Sequence, residues 1–448
     1  MSRHRAVLAS MFKNAGFLAG GRVVNALCSL AYVALAIRAL GLDDFGKLVL
    51  INSIAMTGSM LTRLQSWRTL IHFGNQAYQS GDVAGWRDIL SFCIRLDAMA
   101  ALASLLFSLV GMRLYGALSH WNPADIAMAE LYACVAPFMY TGWCAGVLRM
   151  TNRYHYVTIN DTCAALLRTA GVAAGFLLQL RLPYFLAVWA ASIVLDYALY
   201  VFFSLAIVKK LHGFSLRRAF RGWGWSRPGL WSFTRAVSLN QSLNNVSGHL
   251  ATLLVGGGLG AAEAAIFQIC RQLAEAIIAP AQLLTPVLYP ELVKLRDGRD
   301  WAGLKLVTRQ IFLALLALSV VLLVIARLGG EAIFALMAHA RIPHVTSYVC
   351  VMVLAAVFLL LITPLEPLLT VMGRIGFLTR NRAAVMLAYF PALYFATRFF
   401  GLGGACLSTA LCNGAILLSC LIGMRLYLRG PQERLLNQPA GSIELTSR

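Results

Sequence analysis

Apolar stretches of about 20 residues, the length that crosses roughly 30 Å of hydrocarbon, recur from one end of this 448-residue chain to the other. A fold built around one water-excluded core does not have that pattern. Charged residues make up only 12% of the chain and the mean hydropathy is +0.72, too little charge to cover a soluble surface of this size. The short alternating segments of membrane barrels are missing, so the spans are expected to be helices, which satisfy their own backbone. The expected class is an all-α membrane protein.

Twelve spans are expected, near 15–38, 45–70, 89–112, 124–147, 157–180, 183–208, 231–257, 262–289, 304–326, 345–372, 382–400 and 402–424. The basic N-terminal segment resembles a signal peptide, but its apolar region is too long for one, so a retained first helix is expected. An even number of spans leaves both termini on one side. The connections on the other side hold seven basic residues: Arg38, Lys47, Arg113, Arg181, Arg327, Arg341 and Arg398. The termini and the connections on their own side hold roughly three times as many, which orients both termini to the cytoplasm. That distribution, rather than nucleic-acid binding, accounts for the net charge of +20. The ten cysteines lie mostly within spans and form no C-x-x-C, and the eight histidines are scattered. No metal site or cofactor is expected.

The longest polar connection, KKLHGFSLRRAFRGWGWSRPG (209–229), separates six spans from six. It divides the chain into a first lobe (1–208), a basic cytoplasmic linker (209–230), a second lobe (231–424) and a cytoplasmic tail (425–448). Its tryptophans and arginines suit a membrane surface with anionic headgroups. The halves echo each other: Asn25, Leu40, Gly41 and Asp44 match Asn244, Leu259, Gly260 and Glu263 at one constant offset. With six spans each, both repeats insert in the same sense, as in transporters that hold substrate between two lobes around a central cavity.

Arg22, Asn25 and Ser29 share one face of the first span by their spacing, and Asn240, Asn244 and Ser247 form a comparable stripe in the seventh. A hydrated cavity between halves would receive both stripes.

Three stretches carry a family resemblance. RALGLDDFG (38–46) follows the first span, LQSWRTLIHFGNQAYQSGD (64–82) follows the second, and GVLRMTNRYHY (146–156) joins the fourth to the fifth. In the second half, APAQLLTPVLYPELVKL (279–295) and Gly373-Arg374 also fit. Together they resemble the oligosaccharide flippase family of the multidrug/oligosaccharidyl-lipid/polysaccharide superfamily. The resemblance implies two six-helix lobes that open alternately to each face. It also implies a substrate, an oligosaccharide linked through pyrophosphate to polyprenol, and a role beside other polysaccharide assembly proteins in a bacterial inner membrane. The family's cationic site would fall to Arg22 and Arg271, with Asn25, Asn244 and Arg68 along the path.

A guanidinium presents a rigid fork to phosphate oxygens and stays charged at any relevant pH. Arg22 either faces the cavity or snorkels to the nearby interface. Arg271 and Glu275 stand four apart, either as an internal pair or as charges open to substrate or a coupling ion. Asp97 and Asp161 are candidates for ion pairing within the lobe or for ion coupling. Arg68, Arg149 and Arg153 lie at the cytoplasmic mouth in this topology. Gly142/Gly146 and Gly171/Gly175 are spaced for close helix packing. Pro280, Pro286, Pro290, Pro364 and Pro367 interrupt helical hydrogen bonding in spans eight and ten.

Two other classes stand against this reading. A membrane glycosyltransferase or polymerase would need a sizeable loop domain or an exposed acidic pair; Asp43-Asp44, the adjacent acids, open a helix instead. A drug or cation exporter of the same superfamily would need an acidic cavity, whereas spans one, two, seven and eight carry more Arg than Asp or Glu. A peptidoglycan-precursor flippase would usually have fourteen spans.

Overall fold

The computed structural model describes residues 2–212, 229–278, 300–338, 342–372 and 374–429, with isolated positions between 292 and 298. For 2–19, Arg22, Val23 and 239–246, among others, only the backbone is described. Most of the linker, the tail from 430, Pro280, Pro286, Pro290 and Gly373 lie outside the described residues.

The described residues form helices and no strands. In chain order they are α1 (Ser2–Thr62), α2 (Ser66–Gln79), α3 (Val83–Leu118), α4 (Pro123–Ala133), α5 (Gly142–Met150), α6 (Tyr154–Leu177), α7 (Leu182–His212), α8 (Leu230–Leu259), α9 (Ala261–Ile278), α10 (Trp301–Ala338), α11 (Val345–Ile362), α12 (Leu365–Val371) and α13 (Ile375–Arg429). α1 has 61 residues and α13 has 55. At 1.5 Å per residue either would reach about 80 Å or more if straight, far beyond one bilayer. Each is two limbs joined at a glycine, Gly41 (φ 76°) and Gly401 (φ 59°), a backbone region open to Gly without a Cβ penalty.

These turns expose the repeat. Left-handed residues close the first, third and fifth spans (Gly41, His120, Gln179) and the seventh and eleventh (Gly260, Gly401), and His344 opens the tenth. Gly41 and Gly260 share nearly the same conformation (ψ 176° in both). The chain is therefore a multi-pass helical membrane protein of two pseudo-symmetric halves. Six described helices are long and apolar enough to span a membrane, or seven if the bent pair Pro123–Ala133 and Ala136–Met150 counts as one.

One apolar core runs through both halves, and a second fills the first half at the end away from Gly41, around Leu70, Trp86, Leu90, Trp143 and Leu148. The boundary between them coincides with two interruptions. The second span breaks at 63–65 between α1 and α2, and the fourth bends by 49° around the 3-10 turn Ala136–Met139. The tenth span breaks at Thr363–Pro364, as its prolines require, whereas α13 passes through Pro391 without a break.

The halves touch at both ends. Near Gly41, Gly46 abuts the backbone of Ala261 and Tyr115 donates to the Leu253 carbonyl at 3.0 Å. At the other end, the amide of Gln65, freed by the break, donates to Ser238 Oγ (2.8 Å) and Thr69 meets Thr234 (2.9 Å). His72 stacks on Phe233 at 4.5 Å beside them. Midway, Gln272 of α9 donates to Ser29 of α1.

Candidate functional sites: two repeated cavities and a buried carboxylate

Each half encloses a polar cavity, and the two are built from equivalent elements. The first, about 300 Å³, is lined by the first, second, fourth, fifth and sixth spans, including Asn25, Ser29, Asp161, Arg168, Ser192 and Asp196. The second, about 140 Å³, is lined by the first, second, fourth, fifth and sixth spans of its own half, including Ser247, Arg271, Glu275, Tyr389, Thr409 and Asn413.

Their charges differ. In the first cavity, Arg168 Nε donates to Ser192 Oγ (2.9 Å), and the guanidinium lies 5.4 and 5.3 Å from the Tyr32 and Trp189 rings. Tyr200 donates to Asp161 Oδ1 (3.2 Å). Asn25 Oδ1 and Asp196 Oδ1 are buried acceptors without a hydrogen bond. Among the described residues, this cavity is lined by two carboxylates and one guanidinium.

In the second cavity, Arg271 Nη2 donates to Gln268 Oε1 (2.6 Å) and Nη1 stands 3.6 Å from Glu275 Oε1. Glu275 is the wetter partner, 58% exposed against 16% for Arg271. A Cβ at Gly248 would overlap Nη1 of Arg271, so the missing side chain makes the seat for the guanidinium. Gly248 occupies the place that Ser29 holds in the first half, by the offset that relates Asn25 to Asn244.

Asp97 belongs to neither cavity. It sits where the second and fourth spans break, and its Oδ2 accepts the Trp143 amide at 2.6 Å, capping α5. Caps of this kind contribute about 1 kcal/mol. The Arg63 guanidinium lies 4.5 Å over the Tyr140 ring, and Tyr140 donates to the Leu64 carbonyl (2.7 Å), exposed by the break. Packing is tight enough that a Cβ on Gly142 would stand 2.6 Å from Asp97 Oδ2 and 2.5 Å from the Tyr140 ring. Nearby, Arg68 and Arg149 flank Trp67 with guanidinium carbons 5.0 and 4.3 Å from its ring.

The residues singled out by sequence therefore fall in four places. Asn25 and Asp161 line the first cavity, Arg271 and Glu275 the second, Asp97 lies at the break, and Arg68 lies beside Trp67. Arg22 and Asn244 stand on the backbones of α1 and α8, but their side chains lie outside the described residues. Arg168 and Asp196 complete the first cavity. Asp196 of α7 lines the same cavity as Asn25 and Asp161, a neighbourhood that spacing along the chain does not disclose.

No family model matches the chain. It is similar to the Inner membrane protein YghQ of Escherichia coli (strain K12), 26% identical over 299 residues that cover 65% of this chain and 83% of that protein. An inward-facing multidrug resistance MATE family transporter of the MOP superfamily superposes with a TM-score of 0.67 at 16% identity, over 92% of this chain and 98% of that one. The lipid II flippase MurJ in an inward closed conformation gives 0.65 at 11% identity, over 93% and 87%. The fold is that of these transporters. An outward-facing MATE conformation superposes at 0.58 with 14% identity over 93% and 95%.

Proposed function

We propose that this protein is a flippase of the bacterial inner membrane. It moves polyprenyl-pyrophosphate-linked oligosaccharide from the cytoplasmic to the periplasmic leaflet by alternating access, without altering it chemically. Both termini are cytoplasmic in this reading, which places Gly41 and the other odd-span turns on the periplasmic side.

The observation that carries the reading is the pairing of Arg149 and Arg68 around Trp67. These cations lie on the first half's α2 and α5, and α2 meets the second half through Thr69, with Gln65 of the break doing the same just before it. That is the end where, by the positive-inside distribution, a lipid-linked anion would enter. Arg149 forms no ion pair among the described residues, which leaves its charge available to pyrophosphate. Arg22 and Asn25 on α1, Asn244 on α8 and Arg271 on α9 would continue the path. The likeness in fold to a lipid II flippase supports a lipid-linked substrate, and the similarity to an E. coli inner membrane protein supports the location.

Asp161, Asp97 and Glu275 would couple the motion to an ion or stabilise it as paired charges. The two carboxylates among the described residues of the first cavity favour one further reading, an ion-coupled exporter of cationic drugs, and the likeness in fold to a multidrug resistance transporter supports it.

Deletion of the gene tests both. Cells without a flippase accumulate lipid-linked oligosaccharide and lose surface polysaccharide. At matched abundance, Arg22→Lys should keep partial export, while Arg22→Ala should keep very little. Full export by Arg22→Ala would remove that residue from the path. Normal polysaccharide with raised sensitivity to cationic drugs would favour the exporter.

A further inference from the structure

We propose that Asp97 is the positioning residue of the cation pair around Trp67: its carboxylate ties down the first turns of both helices that carry Trp67, Arg68 and Arg149. What those cations do rests on the flippase reading; how they are held rests on contacts within the first half.

Asp97 lies on α3 and reaches two other helices. Its Oδ2 accepts the Trp143 amide in the first turn of α5 at 2.6 Å. The Ser66 hydroxyl, at the start of α2, hydrogen-bonds to the same carboxylate. α5 has no cap of its own, because Thr141 makes no side-chain bond to the turn it precedes. The carboxylate thus sits at two helix N-termini, where backbone amides are free and negative charge is favoured. Arg63, held over the Tyr140 ring, supplies the counter-charge.

Both ties lead directly to the cations. Trp67 and Arg68 follow Ser66 in sequence. Arg149 lies in the last turn of α5, a helix of nine residues, about 13 Å long. So short a helix moves as one piece, and a shift of its first turn is carried to Arg149. There is no slack on the way. A Cβ on Gly146 would stand 3.1 Å from Trp67 Cα and 3.4 Å from Leu70 Cβ, so α5 lies against the backbone of α2. Two guanidiniums 4.3 and 5.0 Å from one indole repel each other, and stacking returns only modest attraction. Their spacing is imposed by the helices that Asp97 holds.

This role is geometric and differs from ion coupling, and the two part at asparagine. Asn keeps a side-chain oxygen that caps a helix about as well as Asp, and it lacks the charge that a coupling ion needs.

The full-length protein tests the assignment by cross-linking and by transport. A Cβ on Gly74 would stand 3.8 Å from Met150 Sδ. Gly74→Cys with Met150→Cys, on a background with the ten free cysteines replaced, therefore reports how α5 lies on α2. Asp97→Ala should slow disulfide formation in this pair about fivefold or more, the scale of one lost cap. Asp97→Asn should leave it near the parent rate. In liposomes, Asp97→Ala should raise the concentration of lipid-linked oligosaccharide for half-maximal redistribution about fivefold and leave the maximal rate nearly unchanged. Mere loss of folded protein would lower the maximal rate instead. On an Arg149→Ala background, Asp97→Ala should add no further rise, because the group it positions is gone. Ser66→Ala, which removes one of the two ties, should move both readouts the same way by less, and it decides the matter if Asp97→Ala does not accumulate. An unchanged cross-linking rate in Asp97→Ala or Ser66→Ala, equal losses in Asp97→Asn and Asp97→Ala, or losses that add on the Arg149→Ala background would each overturn the assignment. Cross-linking needs no transport. If the wild type moves no lipid-linked oligosaccharide, the flippase reading falls, and the cross-link still decides whether Asp97 seats α5 on α2.

Discussion

Gly46→Ala places one methyl group where the two halves come closest. A Cβ at Gly46 would overlap the carbonyl of Ala261 and stand 3.1 Å from its Cα. The obstacle is backbone at the start of α9, so no side chain can rotate away. Inserting a methylene into a filled contact costs about 1–3 kcal/mol. If only the state closed at this end makes the contact, that cost shifts the equilibrium between states by roughly 5–150-fold toward opening there. The assay is alkylation of a single cysteine at Leu253, whose carbonyl now accepts from Tyr115. It is carried on a background with the ten free cysteines replaced. Gly46→Ala should raise the labelling rate at Leu253→Cys severalfold or more and leave abundance near normal. Gly20→Ala, with nothing within 4 Å of its Cβ, serves as the control. An unchanged rate with normal stability would refute the idea that this contact holds the halves together.

Further outcomes follow from other contacts. Gly142→Ala should destabilise by about 1–3 kcal/mol, because its Cβ meets Asp97 and the Tyr140 ring; denaturation in mixed detergent micelles measures it. Tyr115→Phe removes one hydrogen bond between halves and should raise labelling near Leu253 by about fivefold, the equivalent of about 1 kcal/mol. If Glu275 only neutralises Arg271, the double change Arg271→Gln with Glu275→Gln should recover the export lost in either single change. If Arg271 contacts substrate, the double variant stays inactive in the same export assay. Single cysteines in 209–229 and 113–123 should label from opposite sides of the membrane, and labelling of both from outside would contradict the twelve-span topology.

Legibility in the sequence varied with the kind of signal. Leu40-Gly41 and Leu259-Gly260 marked the repeat, and the backbone realises it as two left-handed turns of the same form. Gly171 and Gly175 announced close approach, and Val188 and Tyr184 fill the space where their side chains would be. Asn25 and Ser29 were recognised as one polar face, yet spacing says nothing about which neighbour meets that face. Asn25 turns toward α6 and α7 inside its own half, while Ser29 also reaches Gln272 across the boundary. The break at Arg63-Leu64-Gln65 had no proline or glycine to signal it. It is held by partners distant in sequence: Tyr140 on the Leu64 carbonyl and Ser238 on the Gln65 amide. Pro137 lies at the matching bend of the fourth span, where a local signal existed but a continuous span was expected.

The central claim is that a lipid-linked oligosaccharide crosses the bilayer through this protein. Purified protein reconstituted into liposomes, with a polyprenyl-pyrophosphate oligosaccharide carrying a fluorescent sugar, tests it directly. Quencher added outside reports how much sugar each leaflet holds as the lipid redistributes. The expected result is redistribution that depends on the protein, slows with Arg68→Ala and Arg149→Ala, and fails for a cationic dye offered in place of the lipid. Redistribution no faster than in protein-free liposomes under any ion gradient, with uptake of the cationic dye instead, would contradict it.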